Sequence, residues 1–124
     1  MYVKSAKDLE VYQLAYKQAM NIFHFSKQFP VEEKYALTDQ IRRSSRSVCA
    51  NLREAWAKRP YIAHFISKIT DCDGENAETA TWIDFAKDCG YIPEDIYSQL
   101  IRENDSVGKM LGNMINKAEQ FCNN

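Results

Sequence analysis

Apolar residues recur at intervals of three and four along four stretches of this chain, the spacing that gathers side chains on one face of an α-helix. In the first stretch Leu9, Tyr12, Tyr16, Ala19 and Phe23 advance by 3, 4, 3 and 4, the seam of a bundle helix. Val11, Ala15, Ile22, Phe25 and Phe29 form another stripe, about 120° around the same helix. A narrower polar face remains, with Glu10, Gln13, Lys17, Asn21, His24 and Gln28. One apolar stripe is enough for a helix in a monomeric bundle. The surplus therefore predicts burial of Val11, Ala15, Ile22 and Phe25 against another chain. Ser5 or Asp8 is placed to cap the start of this helix, and Phe29-Pro30 ends it, because proline disfavours helical geometry in the residue before it.

Pro30, with Glu32 and Glu33, suits the first turn of a second helix, where carboxylates favour the dipole. Lys34–Arg59 then reads as one long helix with Leu37, Ile41, Val48, Leu52 and Ala55 on its core stripe and Ser45 and Trp56 at the edge. Pro60 marks the break. A third helix covers Tyr61–Cys89, with apolar Ile62, Phe65, Ile66, Ile69, Ala77, Ala80, Ile83 and Ala86. Gly74 inside it costs about 1 kcal/mol relative to alanine, which predicts a close helix crossing. Gly90 is a natural C-terminal cap, and Pro93-Glu94-Asp95 opens a fourth helix. That helix repeats Ile96, Leu100, Val107, Leu111, Met114, Ala118 and Phe121, with Asn104 interrupting a core position. At 1.5 Å per residue the helices are each about 30–40 Å long. Joined by short connections, they predict an all-α, antiparallel up-and-down four-helix bundle, a single domain over residues 1–124.

Charge adds a second pattern. The net formal charge is −1, but residues 1–69 hold 12 Lys/Arg against 6 Asp/Glu, and residues 70–124 hold 4 against 11. Much of the positive charge lies on the second helix. Arg42, Arg46 and Arg53 form a stripe roughly a quarter-turn from its core face, and Arg43, Lys58 and Arg59 flank it. In a binding reading these six residues grip phosphates of RNA or DNA without reading sequence. In a structural reading the arginines pair with Asp71, Glu75 and Glu78, which share one face of the third helix, on a neighbouring helix or subunit; the protein is then a scaffold for another protein.

Candidate chemistry is sparse. The chain has no Glu-x-x-His for a di-iron bundle site, no phosphate loop, and no base placed by sequence to activate Ser44, Ser45 or Ser47. The expectation is a non-enzymatic protein with neither metal nor cofactor. Cys49, Cys72, Cys89 and Cys122 make no C-x-x-C pair, which suits reduced thiols in the cytoplasm. The opening MYVKSAKDLE lacks the apolar core of a signal peptide, and no apolar run approaches membrane-spanning length. Asn51 and Glu54, bordering the core stripe, are expected to hydrogen-bond across helices and fix register. Trp56 and Trp82 read as core or interface anchors.

These residues resemble the four-helix-bundle family found as open reading frames in intervening sequences of bacterial 23S ribosomal RNA genes, itself similar to the accessory variability protein of diversity-generating retroelements. The resemblance rests on DLEVYQLAY (Asp8–Tyr16), the FP, EE, YALT and QIRRSS elements of Phe29–Ser45, SVCANLREAWAKR (Ser47–Arg59), AETATWIDFAKDCGY (Ala77–Tyr91) and GKMLGNMI (Gly108–Ile115). It implies a ring-shaped homopentamer around a central channel and, from the retroelement relatives, binding of nucleic acid and of a reverse transcriptase. Many members carry proline where this chain has Cys49 and glycine where it has Ala55, which implies a straighter second helix here.

Overall fold

A computed structural model describes residues 3–122. Met1, Tyr2, Asn123 and Asn124, the ends of the domain expected over residues 1–124, lie outside the described residues. Four long helices dominate: α1 (Glu10–Ser26), α2 (Asp39–Ala57), α3 (Ile62–Asp88) and α4 (Glu94–Asn116), followed by a short α5 (Ala118–Cys122). Each helix packs on the next and α1 closes onto α4, and short connections make sequential neighbours antiparallel. The described residues form the expected up-and-down bundle, with no strand among them.

The helix ends depart from the sequence expectation in instructive ways. A 3-10 turn, Ala6–Asp8, precedes α1, and the Asp8 carboxylate accepts the backbone N–H groups of Lys4 (2.9 Å) and Ser5 (3.3 Å). Asp8 thus caps that turn, whereas α1 begins after Leu9 with no side-chain cap. α1 ends at Ser26, not Phe29, and its last carbonyls accept from the N–H groups three residues on, those of Lys27, Gln28 and Phe29, at 3.1–3.4 Å. The helix expected over Lys34–Arg59 is divided. A 3-10 turn at Val31–Glu33 and a wider π-type turn at Lys34–Thr38 come before α2. Such a turn shifts the phase of the side chains; here Leu37 and Thr38 are buried and Tyr35 stays exposed. From Asp39 to Ala57 α2 is unbroken through Cys49 and Ala55. Gly90, at φ 79°, ends α3: Tyr91 N–H donates to the Ala86 carbonyl (2.8 Å) and Gly90 N–H to that of Lys87 (2.9 Å), the paired bonds of a Schellman cap. The fourth helix breaks at Lys117, and α5 packs on α3 with Phe121 stacked on Phe65 at 6.1 Å.

The core is two apolar clusters with a polar belt between them. One gathers Val11, Tyr12, Ala15, Val48, Leu52, Ala55, Phe65, Ile69, Val107 and Leu111; the other gathers Ile22, Leu37, Ile41, Ile83, Ala86, Ile92 and Leu100. In the belt, Gln18, Asn76 and Asn104 are buried together. Gln18 Nε2 donates to Asn76 Oδ1 (3.3 Å), Asn104 Nδ2 to Gln18 Oε1 (3.0 Å), and Asn76 Nδ2 to the Asn104 carbonyl (2.9 Å). Buried polar groups are tolerated when they satisfy one another in this way. Beside them Thr79 donates to Ser44 Oγ (2.8 Å), and Asn21 Nδ2 donates to the buried Glu103 carboxylate (2.9 Å). Asn104 does not merely interrupt a core stripe; it joins three helices.

Two sequence expectations are corrected here. Val11, Ala15 and Ile22, proposed as an interface between chains, are buried inside this one, and Phe25 packs partly buried against the second cluster. α1 packs on both α2 and α4, so two neighbours in the same chain consume the wide apolar arc. The residues it leaves to solvent are Tyr16 (53% exposed) and Met20 (39% exposed). Gly74 makes no close crossing, because it sits on the exposed side of α3 and an added Cβ would meet nothing within 4 Å.

Candidate nucleic-acid interface

Arg42, Arg46 and Arg53 of α2 lie along its seam with α1, where aromatic side chains of α1 meet them. Arg42 Nε donates to Ser26 Oγ (2.8 Å), and its guanidinium lies 5.0 Å from the centre of the Phe23 ring. Arg46 lies over the same ring at 5.7 Å, and the Lys27 ammonium at 4.7 Å. Three cations thus gather around one aromatic ring, whose quadrupole favours them. Toward the end of α2, Arg53 Nε donates to the Tyr12 hydroxyl (3.2 Å) and the guanidinium lies 5.4 Å from that ring's centre.

The six residues predicted from the sequence do not form one surface. Arg42, Arg43 and Arg46 come together, lining with Asp39, Ser47 and Ala50 an open concavity of about 550 Å³. Arg53 belongs to a separate cleft with Lys7, Tyr12, Gln13 and Tyr16. Lys58 and Arg59 leave the stripe because α2 ends at Ala57. Lys58 lines a hollow with His64, Ser67 and Lys68 at the α2–α3 corner, and Arg59 stacks on Trp56, 3.8 Å from the ring centre, donating through Nε to the Trp56 carbonyl. Lys7, Tyr12, Tyr16, Phe23 and Lys27 were absent from the sequence prediction of this site. The place of Tyr12, Tyr16 and Phe23 on the α1 seam was legible, but the pairing of that seam edge with the arginines was not, and Lys7 and Lys27 lie just beyond the two ends of α1.

Pairing of the arginines with Asp71, Glu75 and Glu78 within the chain is also corrected. Among the described residues the ion pairs are Lys68–Glu54 (2.8 Å), Lys68–Asp71 (3.8 Å) and Lys87–Glu94 (3.1 Å), and no arginine takes part. Asp71 and Glu75 line a groove between α2 and α3 with Ser47, Asn51, Thr70 and Gly74. Glu78 accepts from Trp82 Nε1 at 3.4 Å. The cause is rotation about the helix axes: the acidic row borders the α3 edge of α2, and the arginine stripe borders the α1 edge. Glu54 reaches across to α3 as expected, and its hydrogen bond raises the Lys68 ammonium above the ordinary lysine value. Asn51 does not cross; its Nδ2 donates to the Ser47 carbonyl (2.9 Å) and Oγ (3.0 Å) one turn back.

The cysteines are free thiols. Burial pushes Cys49 up to about 11, against the opposing pull of Arg53, and pushes Cys72 up to about 12. Thiols held so far from ionisation are poor nucleophiles and poor metal ligands. Among the described residues no three His, Cys, Asp or Glu side chains are arranged so that they could hold a metal ion. No helix among them is long and apolar enough to cross a membrane.

A helical bundle with a cation-on-aromatic seam along one edge is the class of protein these features define. The 23S rRNA-intervening sequence protein family matches residues 7–113, and the chain belongs to that family. Its fold is similar to the crystal structure of a protein with unknown function from the S23 ribosomal protein family of Bacteroides thetaiotaomicron. That match has a TM-score of 0.76 and 28% identity, and covers 85% of this chain and 97% of the other. No curated protein matches the chain.

Proposed function

We propose that this protein is a non-enzymatic, homo-oligomeric helical bundle of the cytoplasm that binds RNA or DNA weakly and without sequence preference through the α2 arginines. One observation carries the reading. Arg42, Arg43 and Arg46 share an open concavity, and no arginine is ion-paired among the described residues. Guanidinium groups left without a carboxylate are available to phosphate oxygens, which they match in a bidentate fork. The resemblance to the retroelement accessory proteins supports nucleic acid as the polyanion. The homopentameric ring rests on the family resemblance alone.

Changing Arg42, Arg46 and Arg53 together to glutamine tests the reading. Fluorescence anisotropy with labelled RNA over a salt series is expected to show lower affinity and a shallower salt slope for the variant. Native mass spectrometry should show the same assembly for both proteins. Wild-type protein that binds no RNA at low salt would refute the reading. Loss of the assembly in the variant would favour the second reading, an assembly scaffold whose arginines pair between subunits and whose partner is another protein such as a reverse transcriptase. The row of Asp71, Glu75 and Glu78, unpaired with arginine in the chain, is the observation on its side.

A further inference from the structure

Phosphate contacts alone do not select one form of nucleic acid, and the cleft at the Arg53 end of the seam bears on that choice. About 350 Å³ in volume, it is lined by Lys7, Tyr12, Gln13, Tyr16 and Arg53. Its two tyrosines are layered, with ring centres 6.2 Å apart and planes 26° from parallel. Tyr12 is the inner layer, 8% exposed and held at its hydroxyl by Arg53; Tyr16 is the outer layer, 53% exposed. A single half-exposed tyrosine is ordinary on a protein surface; what distinguishes this one is the second ring layered against it and the two cations that line the same cleft.

The lining chemistry narrows the occupant. Lys7 and Arg53 supply positive charge, and Arg53 spends only its Nε on Tyr12. Gln13 uses its amide nitrogen on the Lys7 carbonyl (3.2 Å), which ties the rim together and leaves its amide oxygen as an acceptor. Stacking ring, cations and polar edge in one cleft match a flat aromatic group that carries a phosphate. Arg46 and Arg42 continue along α2, seven and eleven residues away, or about 10 and 16 Å at the helical rise, so neighbouring phosphates meet further guanidinium groups.

We infer that this cleft takes one nucleotide of a single strand, its base stacked on Tyr16 and its phosphate held between Lys7 and Arg53. The inference rests on the nucleic-acid reading and deepens it: the seam prefers single-stranded to duplex nucleic acid. Paired bases keep their faces in the helix stack, so an aromatic platform recognises only bases that are splayed out.

The test uses the full chain and three anionic probes: a fluorescent oligouridylate, an RNA duplex of equal length, and inorganic polyphosphate as competitor. Wild type is expected to bind the single strand more tightly than the duplex. Tyr16→Ala should lower single-strand affinity by about 5- to 150-fold, the range for loss of one stacked base, and leave polyphosphate affinity unchanged. Tyr16→Phe should keep most of it, since the stacking face survives. Tyr16 is exposed, so an unchanged thermal midpoint checks that the fold is intact. Equal binding of single strand and duplex, or a Tyr16→Ala variant with wild-type affinity, overturns this inference and leaves the phosphate reading standing. Wild type that binds neither RNA nor polyphosphate removes both.

Discussion

Replacing Asn104 with alanine should destabilise the bundle far more than the loss of one small polar side chain suggests. Asn104 Nδ2 donates to Gln18 Oε1 (3.0 Å), Asn76 Oδ1 (3.1 Å) and the Asn76 carbonyl (2.9 Å), all among residues at most 5% exposed. Truncation leaves Gln18 Oε1 buried at 0% exposure with no donor among the described residues, while Asn76 Oδ1 keeps only the longer bond from Gln18 Nε2 at 3.3 Å. An orphaned buried acceptor costs about 1–3 kcal/mol, and the void adds to it, so the expected loss is about 2–4 kcal/mol. Urea unfolding at fixed protein concentration reads this directly. With an m-value near 2 kcal/mol/M, the midpoint falls by about 1–2 M. The companion variant changes Gln18, Asn76 and Asn104 together to leucine. Removing all partners at once spares the orphan penalty and merges the two apolar clusters, so the triple variant should be more stable than Asn104→Ala. Stability of Asn104→Ala within about 0.5 kcal/mol of wild type would refute the reasoning, since that is the range of an ordinary surface substitution.

Two further predictions follow from proton and thiol chemistry. Tyr91 donates to Glu33 at 2.7 Å, and that hydrogen bond, with burial and the nearby carboxylate charge, pushes its hydroxyl up to about 12. The folded value lies above the unfolded value of about 10, so this contribution is full below about pH 10 and is lost as pH rises toward 12. Tyr91→Phe should lack that alkaline loss in a comparison of unfolding midpoints, and parallel profiles for the two proteins would contradict the linkage. Cys49 and Cys72 are buried, whereas Cys89 is exposed and Cys122 partly so. A thiol-reactive dye should therefore label Cys89 first, Cys122 next, and Cys49 and Cys72 only when the chain unfolds; rapid labelling of all four in the native protein would show a core more open than the packing described.

How much could be read from the sequence depended on whether the cause was local. The three-and-four spacing set Leu37, Ile41, Val48, Leu52 and Ala55 on one face, and all five are at most 4% exposed. Gly90 and Pro93 were legible for the same reason: a left-handed backbone angle or a missing N–H acts within one turn. The arginine stripe too was visible, because its residues share one helix. Sequence left open everything that depends on which faces of different helices meet. Gln18, Asn76 and Asn104 stand 58 and 28 residues apart along the chain, as the hydrogen bonds joining them show, and in isolation each reads as a polar intrusion. Only the bundle brings their amides within hydrogen-bond reach, where burial turns three liabilities into a mutually satisfied set. Tertiary structure likewise turned the second stripe of α1 inward, set the arginines against Phe23 and Tyr12, and kept the acidic row of α3 on the opposite edge of α2. A helix carries its own periodicity, but the rotation of one helix about its axis relative to the next is chosen by packing across all four.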